Sequence, residues 1–366
     1  MKRRSFKYIF VFNVMLVGMV CICIIVHIAL CKDKNDEIRA SITTPLVFAD
    51  TVSASFCENA KAAVLIDAKS GAVLFEKNAH SKLPMASTTK IMTALAVIEN
   101  SDPDDVITVS NNASGVEGSS IYLTSGEKIT VRDLLYGLLL ESGNDAATAL
   151  AEGVFGSVEK CCEYMNMRTH EMGLVSTNFT NPHGLDSDNH YTTAYELAII
   201  TKNAMDNNIF REIVSTKNYT SSGENMRYFS NHNRLLNSYA PAIGVKTGYT
   251  SRSGRCLVSA SKMSNEEYIA VTLCDPLDWQ DHKKMHDFGF ETFNGYEIAS
   301  KDSFYLRLGF CNYRPDEDIY ITTHGNADFK INYKLTLSGE DVRIEYGTDN
   351  MFLGSFPIIN QSAMAE

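Results

Sequence analysis

A serine and a lysine three residues apart point to nucleophilic chemistry in the first third of the chain. Ser87 and Lys90 frame the sequence Ser-Thr-Thr-Lys. Because residues three apart share one face of a helix, this spacing places an amine beside a hydroxyl. A hydroxyl is a weak nucleophile until a base removes its proton, and a partly neutral lysine can be that base. The pair therefore predicts a serine nucleophile activated by a lysine.

The Ser-x-x-Lys spacing by itself is weak evidence, since it occurs three more times. Only Ser87 follows a proline-initiated entry, at Pro84, and begins an amphipathic helix. The N-terminal dipole of such a helix favours an oxyanion near the serine. We interpret the other pairs as accidental: Ser125 with Lys128, Ser157 with Lys160, and Ser259 with Lys262.

Two further motifs follow in order along the chain. Ser142-Gly143-Asn144 lies in a break between two predicted helices, and Lys246-Thr247-Gly248 lies on a strand-like segment. A literal Ser187-Asp188-Asn189 is interpreted as a turn, because it follows Gly184-Leu185 and precedes the segment at Tyr191. Taken alone, serine and asparagine are more often helix caps, and a lysine is usually a solvated charge. Their ordered occurrence together favours catalysis.

The ordered motifs resemble the signature of penicillin-binding proteins and β-lactamases. Their surroundings resemble the low-molecular-mass penicillin-binding D-alanyl-D-alanine carboxypeptidases. The resemblance spans Ala60 to about Phe293, and a weaker one covers a small β-rich C-terminal domain. The sequences that carry it are Pro-Met-Ala-Ser-Thr-Thr-Lys at 84–90, Leu-Glu-Ser-Gly-Asn-Asp-Ala at 140–146, Asn-Pro-His-Gly-Leu-Asp at 181–186 and Val-Lys-Thr-Gly-Tyr-Thr at 245–250.

The resemblance implies three catalytic residues. Ser87 would attack the penultimate D-Ala carbonyl, Lys90 would take the serine proton, and Ser142 would relay it towards the leaving amine. D-alanine would leave first, and water would then hydrolyse the acyl-enzyme. His183 is interpreted as shaping its loop, without an acid–base role.

The resemblance also implies the residues that bind substrate. The Asn144 amide would orient the substrate backbone. Lys246 and Thr247, followed by Gly248, would bind the terminal carboxylate. Backbone N–H groups of Ser87 and Tyr249 would form the oxyanion hole.

By the same resemblance, the substrate is the D-Ala-D-Ala end of peptidoglycan stem peptides, and β-lactams inhibit by acylating the same serine. No cofactor and no metal are expected. Three alternatives stay open: a D,D-endopeptidase, a class A-like β-lactamase and a non-catalytic penicillin-binding sensor. The β-lactamase alternative lacks its Glu-x-x-Leu-Asn loop, since no such string occurs in the chain.

One departure from the family concerns carboxylate binding. Many of these carboxypeptidases have an arginine just beyond the strand that corresponds to 267–273, where this chain has Cys274-Asp275-Pro276-Leu277. Arg252 and Arg255 lie close behind the Lys-Thr-Gly motif and are candidates to replace it.

Composition and charge exclude several other classes of protein. The chain has 366 residues, 45% hydrophobic and 21% charged, as in ordinary globular proteins. Its formal net charge is −11, and the first 31 residues hold basic but no acidic side chains, so the remainder is more acidic still. Such a body lacks the clustered lysines and arginines that nucleic-acid binding requires.

The N-terminus predicts export. Lys2, Arg3, Arg4 and Lys7 precede an uncharged, mostly apolar run from Tyr8 to Cys31, about the length that crosses a bilayer. The basic flank lies before the run, so the positive-inside rule places the body on the extracytoplasmic face of the bacterial cell membrane. The length of the run favours an uncleaved signal anchor over a cleaved signal peptide.

The remaining patterns predict an α/β (α+β) fold like that of serine β-lactamases and penicillin-binding transpeptidases. An antiparallel sheet is built from strands at both ends of a catalytic domain and is flanked by a helical subdomain. A small all-β domain follows it. The predicted divisions are a signal segment at 1–31, a linker at 32–56, a catalytic domain at 57–295 and a C-terminal domain at 296–366.

Cysteine spacing offers no metal motif, because Cys161 and Cys162 are adjacent and no Cys-x-x-Cys or His-Glu-x-x-His occurs. Six cysteines lie outside the apolar run, and we expect most of them to be buried free thiols.

Overall fold

The computed structural model describes residues 56–222, 225–304, 306–308, 311–324, 332–338, 341–348 and 351–360. The helices are α1 Lys90–Asn100, α2 Val131–Leu139, α3 Asn144–Phe155, α4 Val158–Glu171, α5 Ala194–Met205, α6 Asn208–Ser215, α7 Leu235–Ser238 and α8 Asp278–Thr292. The strands up to α8 are β1 Ala62–Asp67, β2 Val73–Lys77, β3 Val106–Thr108, β4 Lys128–Thr130, β5 Asn218–Thr220, β6 Tyr228–Ser230, β7 Ala242–Thr250, β8 Gly254–Met263 and β9 Glu266–Leu273. The strands after α8 are β10 Phe293–Ala299, β11 Leu306–Leu308, β12 Cys311–Arg314, β13 Ile319–His324, β14 Asn332–Ser338, β15 Asp341–Thr348, β16 Met351–Pro357 and β17 Ile359–Asn360.

The central sheet is antiparallel and combines strands from both ends of the catalytic region, as predicted. Its strand order is β2-β1-β9-β8-β7. Alternate residues of β1 enter two different cores: Val64 and Ile66 face the helical layer, while Ala63 and Leu65 face the side of α8. Because successive strand residues point to opposite faces, both faces of this sheet are covered. The fold class predicted from the sequence is confirmed.

The helical layer is organised around α1, which packs against the helices α2 to α6. Its residues from Ile91 to Val97 are buried on every side. The helix begins three residues later than predicted, because Ala86–Thr89 forms a 3-10 turn before it. The Thr88 and Thr89 hydroxyls donate to the carbonyls of Met85 and Ala86, at 2.6 and 2.8 Å, and these bonds support the tighter turn.

Short-range sequence patterns account for several local features. The hairpin of β1 and β2 forms, and Thr130 caps α2 by accepting from the Asp133 N–H at 3.1 Å. The break between α2 and α3 contains Ser142 and Gly143. The sequence analysis missed α6, whose amphipathic pattern is only two turns long and begins at the capping residue Asn207.

The region after α8 is built from small antiparallel sheets, in agreement with the predicted β-rich C-terminal domain. The pairings are β10-β13, β11-β12-β17 and β14-β15-β16. Strand β10 begins directly after α8 and crosses the predicted boundary at residue 296, so the domain limits remain a prediction. Thr322 of β13 contacts the β1–β2 turn through a 2.7 Å hydrogen bond with Ser70.

The predicted signal segment and nearly all of the predicted linker lie outside the described residues. Within the described part of the chain, no helix is both long enough and apolar enough to cross a bilayer. Cys57, Cys161, Cys162 and Cys256 are buried free thiols, and Cys274 is a partly exposed one. The prediction of mostly buried free thiols is therefore confirmed for these described cysteines.

Candidate active site

Lys90, the first residue of α1, has its ammonium group at the centre of the candidate site. Its Nζ lies 3.0 Å from Ser87 Oγ, 2.7 Å from Asn144 Oδ1 and 2.6 Å from the carbonyl oxygen of His183. Ser87 lies one turn earlier, in the 3-10 turn. The first two motifs predicted from the sequence therefore meet at one nitrogen atom.

The environment of Lys90 favours its neutral form. Its side chain is fully buried, and this burial lowers the pKa of the amine well below its usual value. The nearby charge of Lys246 lowers this pKa further, while Asp145 opposes the shift. A lowered pKa increases the fraction of the amine that is neutral and able to accept a proton.

The turn between α2 and α3 presents Ser142 and Asn144. Ser142 is 5% exposed and has a left-handed backbone, with φ of 65°. Asn144 donates from Nδ2 to the Glu117 carbonyl at 2.7 Å, which fixes the orientation of its amide and directs Oδ1 to Lys90. The neighbouring Asp145 accepts backbone N–H groups from Ile121 and Leu123, so residues 117–123 are held against the motif.

Strand β7 forms one edge of the central sheet and carries the Lys-Thr-Gly motif beside the 3-10 turn. A Cβ on Gly248 would lie 3.1 Å from both the Met85 oxygen and the Ser87 nitrogen, so glycine permits this close approach. The Lys246 Nζ donates to the Thr247 carbonyl at 3.1 Å. Tyr249, which follows the motif, is 68% exposed.

Lys246 is the second buried cation of the site. Burial lowers the pKa of its ammonium to about 7, against the opposing negative charge of Glu141. The carboxylate of Glu141 accepts from the Ser230 N–H and lies 3.3 Å from His232 Nε2. Glu141 directly precedes Ser142, and the sequence analysis did not identify its influence on Lys246.

The segment 180–190 also borders the candidate site, and its two histidines are held neutral. Burial, together with the charge of Lys90, lowers the pKa of His183 to about 3 and that of His190 to about 4. His190 accepts from the Thr180 N–H through Nδ1, so its Nε2 donates to the Thr89 hydroxyl at 2.7 Å. This arrangement is consistent with the predicted structural role of His183, whose carbonyl, and not its imidazole, contacts Lys90.

Gly184 gives a direct test of how this segment supports Ser87. Its φ is +90°, and a Cβ there would collide with the Ala86 carbonyl oxygen. We expect Gly184→Ala to slow acylation by a β-lactam at least ~10-fold, because small misplacements of a nucleophile are costly. Gly126→Ala is the matched control, since Gly126 has φ of +82° but nothing within 4 Å of the added carbon. Equal acylation rates in the two variants, measured beside their melting temperatures, would remove this positioning role.

Both arginines considered for carboxylate binding already form ion pairs with aspartates. Arg255 donates to both carboxylate oxygens of the buried Asp278, at 3.0 and 2.7 Å. Arg252 pairs with exposed Asp188 at 2.8 Å. The Ser187-Asp188-Asn189 sequence is a turn, as predicted, in which the His190 N–H donates to the Ser187 carbonyl.

The serines of the three other Ser-x-x-Lys pairs do not belong to the candidate site. Two of them make structural contacts, and the third is exposed. Ser157 caps α4 by accepting from the Lys160 N–H. Ser259 is buried in β8 between His282 and His286. Ser125 is exposed in the loop before β4.

The chain is similar to known proteins in both sequence and fold. A family model described as D-alanyl-D-alanine carboxypeptidase matches residues 49–276. The D-alanyl-D-alanine carboxypeptidase DacF of Bacillus subtilis is 35% identical over 260 residues, which cover 68% of this chain and 67% of that protein. The crystal structure of penicillin binding protein 5 from Haemophilus influenzae has a TM-score of 0.74 and 28% identity, covering 85% of this chain and 98% of that one. A mutant of the Streptomyces K15 DD-transpeptidase has a TM-score of 0.61 and 34% identity, covering 64% and 98%.

Proposed function

Because the chain belongs to the family of serine-type D-alanyl-D-alanine carboxypeptidases, we propose that it removes the terminal D-Ala of peptidoglycan stem pentapeptides through an acyl-enzyme on Ser87. β-Lactams would acylate the same oxygen. The proposal extends the family assignment to a substrate and to named residues.

One observation carries the assignment of Ser87 and Lys90: the three contacts of the Lys90 nitrogen. Two of its partners, Asn144 Oδ1 and the His183 carbonyl, can only accept hydrogen bonds. A neutral amine has two N–H groups and one lone pair. When both N–H groups bind these oxygens, the lone pair is left for the third partner, the Ser87 hydroxyl at 3.0 Å. This geometry suits a base that removes the serine proton.

The reaction then proceeds in two stages. Ser87 Oγ forms a bond to the penultimate D-Ala carbonyl carbon while its proton moves to Lys90. Ser142 relays the proton to the leaving nitrogen, the C–N bond breaks, and D-alanine departs. Water hydrolyses the acyl-enzyme by the reverse proton route. Backbone N–H groups of Ser87 and Tyr249 stabilise the oxyanion in both stages.

Recognition of the substrate carboxylate is assigned to Lys246 and Thr247. Lys246 is buried, so a carboxylate beside it would meet a poorly solvated charge and bind more strongly than at an exposed lysine. Carboxylate binding would in turn favour the protonated form of Lys246. Arg255 is held by a bidentate bond to Asp278, whereas Arg252 pairs only with an exposed carboxylate and is the better candidate for a supporting role.

Release of D-alanine from a pentapeptide ending in D-Ala-D-Ala tests the proposed activity. We expect stoichiometric D-alanine and a shortened peptide, and no release from the matched peptide that ends in D-Ala-L-Ala. Since one structural neighbour is a DD-transpeptidase, a D-amino acid acceptor should be included to detect acyl transfer. Covalent penicillin labelling without any D-alanine release would favour a sensor, and cleavage restricted to cross-linked dimers would favour an endopeptidase.

We further propose that the enzyme acts at the outer face of the cell membrane, attached through its N-terminal segment. The support is the uncharged run from Tyr8 to Cys31 behind four basic residues. The full chain should then be released from membranes by detergent and not by high salt. A soluble exported form that lacks the run would contradict attachment.

A further inference from the structure

A cluster of three acidic groups lies where the chain enters the central sheet and where it leaves β9 for α8. Cys57 precedes β1, Asp275 follows β9, and Asp281 lies in the first turns of α8. All three are buried, with exposed fractions of 0%, 0% and 3%. One ligand atom from each, a sulfur and two carboxylate oxygens, lies within 4.8 Å of the other two.

Hydrogen bonding within the protein leaves this cluster incompletely satisfied. Asp275 Oδ1 accepts from the Leu277 N–H at 3.0 Å. Its other oxygen, Oδ2, is buried and finds no hydrogen-bond donor among the described residues. The Asp281 carboxylate, which interacts with Asp275 and raises its pKa, is itself an acceptor. Buried carboxylates are normally paired, hydrogen-bonded or coordinated to a metal, because an unpaired one is costly. The unpartnered oxygen is therefore a second sign, beside the clustering, that a ligand belongs here.

The charges around the cluster suit a divalent cation. Once an ion displaces the thiol proton, one thiolate and two carboxylates carry three negative charges, and a divalent ion reduces that to one. The Lys77 ammonium donates to the Cys57 carbonyl at 2.9 Å and so places a positive charge beside the same residue. A bound ion would leave the buried group nearly neutral.

The types of ligand atom in the cluster indicate which metal ion would fit. Calcium and magnesium prefer oxygen ligands alone, whereas zinc accepts both cysteine sulfur and carboxylate oxygen. We propose that Cys57, Asp275 and Asp281 bind a zinc ion, with water as a fourth ligand. On binding, the Cys57 S–H bond breaks, its proton leaves to solvent, and a sulfur–zinc bond forms.

The proposed ion has a structural role and is independent of the proposed function. It joins the segment entering β1 to the junction of β9 and α8, which the chain otherwise connects through backbone bonds such as that from the Lys61 N–H to the Leu273 carbonyl. Zinc should therefore stabilise the fold without entering the acyl-transfer reaction.

The test uses the full chain in detergent, stripped with a chelator and then given zinc sulfate. We expect one zinc retained per chain after dialysis. At a zinc concentration about 100 times Kd, the melting temperature should rise by about 5 to 10 °C. Asp281→Asn and Cys57→Ala should lose both effects, whereas Cys162→Ala, which removes a buried thiol of α4, should keep them.

A spectroscopic measurement on the unmutated chain covers the case in which a variant fails to fold. Cobalt(II) in place of zinc should give thiolate-to-metal charge-transfer absorption in the near ultraviolet, and stoichiometric zinc should abolish it. Penicillin labelling reports whether each variant is folded. Absence of retained zinc in the unmutated chain, or equal retention by folded Cys57→Ala, would overturn the site.

Discussion

Ser87→Ala should abolish covalent labelling by a fluorescent penicillin and lower the release of D-alanine at least ~10³-fold, because residues that act as one catalytic unit fail together. The Ser87 hydroxyl lies 3.0 Å from the Lys90 amine, and the substitution removes the atom that forms the acyl bond. Labelling is followed by gel fluorescence, and turnover by free D-alanine.

The matched control for this variant is Ser125→Ala, which removes an exposed serine with the same spacing to a lysine. It should label and turn over like the unmutated enzyme. Persistent labelling of Ser87→Ala would mean that another residue carries the acyl group. Loss of labelling in both variants would point to a general effect on folding, which a melting curve would detect.

Replacing the two buried lysines should give different kinetic results. Lys90→Ala should block acylation even with β-lactam in excess, because the base is absent. Lys246→Ala should mainly weaken β-lactam binding and the electrostatic stabilisation that the lysine charge provides. The expected loss is on the order of 1 to 4 kcal/mol. The second variant should therefore still be acylated fully at high β-lactam concentration. Stopped-flow acylation across a range of concentrations separates a lost rate constant from a raised binding constant.

Lys90→Met controls for the void that alanine leaves at a fully buried position, since methionine fills most of the same volume. It should be as inactive as Lys90→Ala while melting closer to the unmutated enzyme. Acylation of either variant at the normal rate would require a different proton acceptor. Identical behaviour of the Lys90 and Lys246 variants would contradict their separate roles.

Much of the fold was predictable because its local signals agree with its tertiary packing. The β1–β2 hairpin has apolar runs around a glycine turn, and Thr130 caps α2 through a bond to a residue only three positions away. Such features depend on neighbours in the sequence. The 3-10 turn before Lys90 was missed because ordinary helix patterns do not distinguish it from the first turn of an α-helix.

The candidate site was found from three short motifs, yet its surroundings were not. The His183 carbonyl and the Glu117 carbonyl complete the hydrogen bonds of Lys90 and Asn144. Backbone oxygens carry no mark in a sequence, so no residue pattern could identify them. The same holds for Gly184, whose need for a hydrogen side chain arises from the distant Ala86.

The sequence by itself determined the reacting groups, since residue type and order specify a serine, two lysines and an asparagine with the chemistry of acyl transfer. It also determined the acidic body and the apolar N-terminal run. Only the tertiary structure decided which partners those groups meet. Burial of Lys90 beside Lys246 lowers the pKa of the amine, and the meeting of Cys57 with Asp275 and Asp281 creates a candidate zinc site. Both depend on distances between residues far apart in the chain, which folding sets and sequence spacing does not.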